Sequence, residues 1–209
     1  MSRGGEFSYY KQGRKAIKQG FFPASSLTQM RSALFKKTWL VILLAFVLPL
    51  LLVYGWWGGF NSVRIEQTER GPYVYAYLVH SGAYAKLPET QHQVLQALHA
   101  QHVTPLQPIS VLFDDPRHVP SNQLRAYTGF VVQAGDVIRP PLKRGEIPRR
   151  KVLLGQVKAA ELLAPSKTYQ ALYDYLKTQQ RDITMPAVEL YNSPAEIYRI
   201  GEFTVEIQR

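Results

Sequence analysis

The sequence contains no cysteine. Its absence excludes disulfide frameworks, thiolate metal sites and cysteine nucleophiles together. Acidic residues are scarce as well: 15 Asp+Glu stand against 25 Lys+Arg, a net charge of +10. Charged residues make up only 19% of the chain and hydrophobic ones 46%, which is too apolar for disorder throughout. Common catalytic signatures are missing too, with no Gly-x-Ser-x-Gly, no His-Glu-x-x-His and no glycine-rich phosphate cradle. His92, His99 and His102 fall on one predicted helix, and His99 and His102 could share a face toward a metal. A polar helix surface accounts for them better, so neither a metal nor another cofactor is expected. A length of 209 residues leaves room for one domain and an appendage.

The positive charge is concentrated at one end. Eight bases precede Thr38 against the single acid Glu6, so this segment carries +7 of the +10, whereas residues 61–209 hold 17 bases and 14 acids. The run from Trp39 to Phe60 then has no charge at all. A helix needs about 20 apolar residues to cross a bilayer core. Trp39 at one end and Tyr54, Trp56 and Trp57 at the other suit the headgroup layers. The expected organisation is a basic, disordered tail over 1–37, a transmembrane helix over 38–60 and a globular domain over 61–209. Arg31, Lys36 and Lys37 precede the span, so the amino terminus is expected in the cytoplasm. For a bacterial inner membrane the domain would then be periplasmic. Membrane lipid, through residues 38–60, is an expected partner, with a membrane protein as a further possibility. Nucleic acid is not expected: in the basic run Arg139–Arg150 no aromatics interleave with the bases, and it reads as a solvated loop.

The domain contains a repeat. Shifted by 78 positions, residues 74–116 lie on 152–194 without a gap and with eight identities, among them Val74 on Val152, Thr90 on Thr168 and Leu98 on Leu176. After a three-residue deletion, Phe130–Gln133 falls on Val205–Gln208. Each copy reads as strand, helix, strand, strand. The first places them at Tyr73–Val79, Ala85–Gln101, Ser110–Phe113 and Tyr127–Gln133. The second places them at Lys151–Val157, Ser166–Gln180, Val188–Tyr191 and Phe203–Gln208, with Ser166 as the helix N-cap. The fold class expected is α+β: duplicated β-α-β-β units forming an antiparallel sheet with two helices on one face, preceded by one transmembrane helix.

Several segments resemble the GyrI-like (gyrase-inhibitor-like) small-molecule-binding domain. These are Val79-His-Ser-Gly-Ala-Tyr84, Val111-Leu-Phe-Asp-Asp-Pro-Arg-His-Val-Pro120, Asn122-Gln-Leu-Arg-Ala-Tyr-Thr-Gly129 and Pro186-Ala-Val-Glu-Leu-Tyr191. One membrane anchor ahead of such a domain is similar to the animal testis-expressed ER-phagy receptor. That receptor's long tail has no counterpart after Arg209, so its autophagy role is not expected here.

Strand alternation puts Ala187, Glu189 and Tyr191 on one face, expected to point away from the helices, and lets Glu206 reach the same cleft. Val111, the repeat mate of Glu189 at the 78-residue shift, shows that folding requires no carboxylate there. The resemblance implies that Glu189 recognises cationic, lipophilic ligands, assisted by Tyr191, Tyr84, Phe113, Tyr127 and Glu206. The same pair, Glu189 as general base and Tyr191 as orienting donor, would serve a small-molecule hydrolase instead. The alternatives are a protein-interaction module, or a Glu189 that merely faces water on an open sheet.

Overall fold

The computed structural model describes the backbone of residues 24–192 and 200–208, with side chains from Thr38 onward except Leu40. The elements are α1 (Ala24–Trp56), β1 (Arg64–Arg70), β2 (Tyr73–Ser81), α2 (Leu87–Ala100), β3 (Gln107–Leu112), β4 (Arg125–Val131), β5 (Lys143–Ile147), β6 (Arg150–Ala160), α3 (Ala164–Lys177), β7 (Ala187–Asn192) and β8 (Ile200–Gln208). A single 3-10 turn, Tyr84–Lys86, leads into α2. The chain divides into two compact units at Pro49 and Leu50.

The expected helix over 38–60 is longer and differently placed. It runs from Ala24 through Pro49 to Trp56 and ends in a turn over Trp57–Phe60. Among the described residues, no helix is long and apolar enough to cross a membrane. Its last turns, in the second unit, keep Leu50, Leu51, Leu52 and Val53 exposed. The foot of the helix is fastened to the domain. The Ala160 amide donates to the Trp57 carbonyl at 2.9 Å, the Asn61 side chain donates to the Lys158 carbonyl at 2.5 Å, and Lys167 reaches the Gly59 carbonyl. Gly58 makes this junction possible, since its φ of 75° favours glycine and a Cβ there would meet the Lys158 carbonyl oxygen at 2.6 Å. The expected tail over 1–37 falls largely outside the described residues.

All strands of the domain join one antiparallel sheet in the order β1-β6-β8-β7-β3-β4-β2-β5. The order is symmetric about the β7–β3 pair, as a duplication requires. Both helices pack on one face, as expected. Val94 and Leu98 of α2 bury against Ala76 and Phe130, and Leu172 and Leu176 of α3 against Leu153, Val157 and Val205. In each helix these residues recur at i, i+4, the spacing that keeps an apolar stripe on the core. The helix N-cap expected at Ser166 is displaced: α3 starts at Ala164, and the Ser166 hydroxyl turns back to the Leu163 carbonyl at 3.0 Å.

Two strands were not expected. The edge strand β1 reads Arg-Ile-Glu-Gln-Thr-Glu-Arg, and the other edge, β5, lies inside the basic run assigned to a loop. Their charges and the Gly and Pro around β5 are what edges carry to discourage pairing with other chains, and they mask the strand pattern.

The face opposite the helices is a second core rather than a solvated surface. Tyr75, Ile109, Val111, Val188 and Leu190 are buried there, with Tyr73, Tyr77, Phe113 and Tyr127 packed around them. A flat sheet would put β2 about 19 Å from β8, four spacings of about 4.8 Å. Yet the Tyr73 hydroxyl donates to the Glu206 carboxylate at 2.6 Å. The sheet therefore curls and its inner face closes on itself. Gly145, opposite Tyr75 in the β2–β5 register, leaves room for this curl, since a Cβ there would lie 2.5 Å from the Tyr75 ring.

Candidate functional site

The registers reassign the repeat by one residue in the strands. Thr90/Thr168, Val94/Leu172 and Leu98/Leu176 keep the 78-residue offset along the helices. In β2/β6 and β3/β7, however, that offset would place helix-facing residues on inward-facing ones. A slip of one residue flips every side chain to the other face, so the counterpart of Glu189 is Ser110, not Val111. These two are direct cross-strand partners at the symmetric centre of the sheet. Both copies place a polar group there: Ser110 is satisfied by the Thr128 hydroxyl at 2.8 Å, and Glu189 faces the helices. Neither the expectation that Glu189 points away from the helices nor that of a water-washed outer face holds.

Glu189 lies on the floor of a cleft of about 710 Å³ between the turn leading into α2 and the flank of α3. Tyr84, Leu112, Tyr169, Tyr173 and Met185 wall it. Tyr84 offers its ring alone. Its hydroxyl donates to the Asp114 carbonyl at 2.9 Å, with the Arg125 carbonyl at 3.0 Å, and accepts from the Asp114 amide at 3.2 Å. The Asp114 carboxylate holds this loop by accepting two guanidinium bonds and the backbone N–H of Arg125, at 2.8–3.0 Å. These bonds hold Asp114 below the usual carboxylate range. The Asp-Asp-Pro segment thus builds part of the cleft wall, and Arg125 of the Leu-Arg segment braces it through Asp114.

Among the described residues no cation pairs with Glu189. Desolvation pushes its carboxyl up to about 7, and Tyr169 opposes this only in part. Burial first, and the Glu189 charge second, raise Tyr169 well above the ordinary tyrosine range. Its buried hydroxyl makes no hydrogen bond of ordinary geometry, so the two groups face each other loosely, with bonding capacity to spare.

The other expected site residues are not brought here. Tyr191 shares the Glu189 face but sits further along β7, its ring 6.1 Å from Phe203 and its hydroxyl 3.3 Å from the Ala159 carbonyl. Phe113 and Tyr127 lie on the inner face, 4.6 Å apart, with Tyr127 stacked on Tyr77 at 4.3 Å. Glu206 faces inward as well and does not reach the cleft. It is fully buried and accepts from Arg70 and Arg150 at 3.0 Å each and from Tyr73 at 2.6 Å. Conversely, sequence reasoning passed over Tyr169, Tyr173 and Met185 as cleft residues. At helical spacing the two tyrosines fall beside the packing stripe of α3, whose buried centre is Thr168, Leu172 and Leu176, with Tyr169 partly buried against that core. Among the described residues, no cluster of His, Asp and Glu suits a metal ion.

A duplicated α+β sheet with two helices on one face and a cleft ending on a carboxylate that no cation among the described residues pairs suits a small-molecule-binding domain. Residues 62–208 match the family described as the GyrI-like small molecule binding domain, and the chain belongs to that family. Among solved structures, the EcmrR C-terminal domain is similar, with a TM-score of 0.55 at 10% identity over 70% of this chain and 96% of that one. EcmrR in its DNA complex gives 0.51 at 11% identity over 88% and 72%. SAV2435 bound to tetraphenylphosphonium gives 0.47 at 9% identity over 69% and 94%. At such identities the likeness shows the fold alone. No curated protein matches, and the likeness to the anchored ER-phagy receptor is not shown.

Proposed function

We propose that this GyrI-like domain binds small lipophilic cations in the cleft above Glu189 and works as a ligand-binding module. The observation that carries this reading is a carboxylate on the floor of an aromatic cleft with no cation paired to it among the described residues. Leaving such a group unpaired is costly, and a ligand cation supplies the missing charge while aromatic faces favour it further. Titration of the full chain with tetraphenylphosphonium, followed calorimetrically at pH 8, should give binding that Glu189→Gln weakens at least about tenfold. Equal affinity in both proteins would remove Glu189 from the site.

A second reading draws on the same carboxyl. A group that titrates near 7 beside a tyrosine hydroxyl is suited to general-base hydrolysis. Tyr169, rather than the expected Tyr191, is the tyrosine within reach of that role. Turnover of reactive esters that Glu189→Gln abolishes would favour it.

We also propose that α1 tethers the domain to a bacterial inner membrane, with the amino terminus in the cytoplasm and the domain in the periplasm. The uncharged run Trp39–Phe60 supports this, as do the exposed Leu50–Val53 and the exposed Trp56, Phe60 and Leu162 around the helix foot. Flotation of the full chain with phospholipid vesicles tests the tether. A reporter after Arg209 that is active in the cytoplasm would overturn the orientation.

A further inference from the structure

The rim of the cleft holds a second cation seat, which the chain fills itself. The Arg117 guanidinium lies over the Tyr173 ring, 4.8 Å from its centroid. One of its terminal nitrogens donates to Asp115 at 2.6 Å and to Asp182 at 2.7 Å, and Nε reaches both Asp115 oxygens at 3.0 and 3.1 Å. Asp115 and Arg117 come from the β3–β4 segment, Tyr173 from α3 and Asp182 from the α3–β7 segment. Asp115, Arg117 and Tyr173 line the same cleft as Glu189. Lys177 adds a second positive charge 5.8 Å from the Tyr173 ring. An aromatic face flanked by two carboxylates would receive an ammonium or phosphonium group well, but here a bidentate guanidinium occupies it.

We infer that Arg117 determines the charge pattern the cleft accepts: ligands with one cationic end, seated at Glu189, and an uncharged body reaching toward the rim. This deepens the cation-binding reading and rests on it. A ligand carrying a second cation at its far end would have to displace Arg117 from two carboxylates or bear its repulsion, so dications are rejected. Selection of this kind works by discrimination against the wrong ligand rather than by added attraction to the right one. Removing Arg117 would open the outer seat, leaving Tyr173, Asp115 and Asp182 free to take the second charge.

The test compares mono-quaternary alkyltrimethylammonium ions with bis-quaternary alkanes from hexa- to dodecamethylene, titrated into the full chain at pH 8, where Glu189 is ionised. The wild type should favour the monocation at least about tenfold over every bis-cation. Arg117→Ala should cut that ratio about tenfold, through tighter binding of a bis-cation, with the monocation changed by less than about threefold. Arg117→Lys, which keeps the charge, should preserve most of the wild-type preference.

Equal binding of the two classes by the wild type overturns the inference, whatever the variants do. An unchanged ratio in a folded Arg117→Ala also overturns it. Glu189→Gln should weaken both classes, and if it weakens neither, the reading of the floor site fails while the rim comparison is still decided by the wild-type ratio. If neither class binds the wild type or Arg117→Ala, both readings are overturned.

Discussion

Glu189 and Glu206 occupy neighbouring cross-strand pairs on β7 and β8, Glu189 opposite Val205 and Val188 opposite Glu206. The two carboxylates therefore stand on opposite faces of the sheet, and their surroundings differ in every respect that matters. Glu206 is fully buried and saturated by Arg70, Arg150 and Tyr73, which come from β1, β6 and β2. It clasps the curled sheet across its inner face. Burial, and then Glu206, push the Tyr73 hydroxyl up to about 12, so it remains a donor throughout the physiological range. Glu189 has no such partners among the described residues, and its carboxyl is pushed toward neutrality. A buried charge with its countercharges built in serves architecture, and one without them is poised for a partner from outside.

The largest effect expected from this contrast is on stability. Glu206→Ala leaves two arginines and a tyrosine facing an empty site, and breaking a buried ion pair costs about 3–5 kcal/mol. Urea unfolding should show a loss of that size, whereas Glu189→Gln should be no less stable than the wild type at pH 8. A Glu206→Ala protein of unchanged stability would break the division into clasp and site.

The second effect is a pH dependence carried by Glu189. The Glu189 carboxyl titrates near 7 in the folded protein and at about 4.5 when free, so between these values the folded state binds the extra proton. Stability should therefore fall as pH rises from about 4.5 through 7 and level off above, by at most about 3 kcal/mol, less where solvent enters the cleft. Asp114 and Asp182, held low mainly by Arg125 and Arg117, contribute in the opposite sense, and only below about pH 4. Affinity for a cation should rise over the window in which unfolding stability falls, since both follow ionisation of the same group. Glu161, also raised by burial, adds to the stability slope in the same sense. Glu189→Gln should therefore abolish the affinity slope and most of the stability slope, and an affinity slope that survives in that variant would assign it to another group.

How much of this was legible in the sequence depends on which signal was used. The helix pair and six of the eight strands followed from period and repeat, because buried residues on helices and central strands must recur with the geometry of their element, and the family followed from the resemblance of its short segments. The edge strands β1 and β5 did not, because edges are selected for charge rather than for pattern. Glu189 was legible as a carboxylate on a strand flanked by aromatics. Its face was not, because identities in the helices fixed an offset that the strands do not share by one residue. Glu206 shows the same limit from the other side. Alternation around Val205 and Ile207 showed that it faces away from them, but not that the sheet curls so that β1, β2 and β6 meet over it. Arg117 and Tyr169 carried no local signal, since one lies in a loop and the other on a helix whose packing stripe absorbs it.

The smallest effect expected comes from the group that interacts with Glu189 most closely. The Tyr169 hydroxyl partly offsets the desolvation of Glu189, so Tyr169→Phe should move the carboxyl further up, and with it the midpoint of cation binding, by less than about one pH unit. The hydroxyl is buried without a hydrogen bond of ordinary geometry. Deleting it removes a desolvated polar group rather than a closed bond, so stability at pH 5, where Glu189 is protonated in either protein, should change by less than about 1 kcal/mol or rise slightly. A loss as large as that of Glu206→Ala would mean that Tyr169 and Glu189 form a structural pair after all, and the two faces of the sheet would then differ in degree rather than in kind.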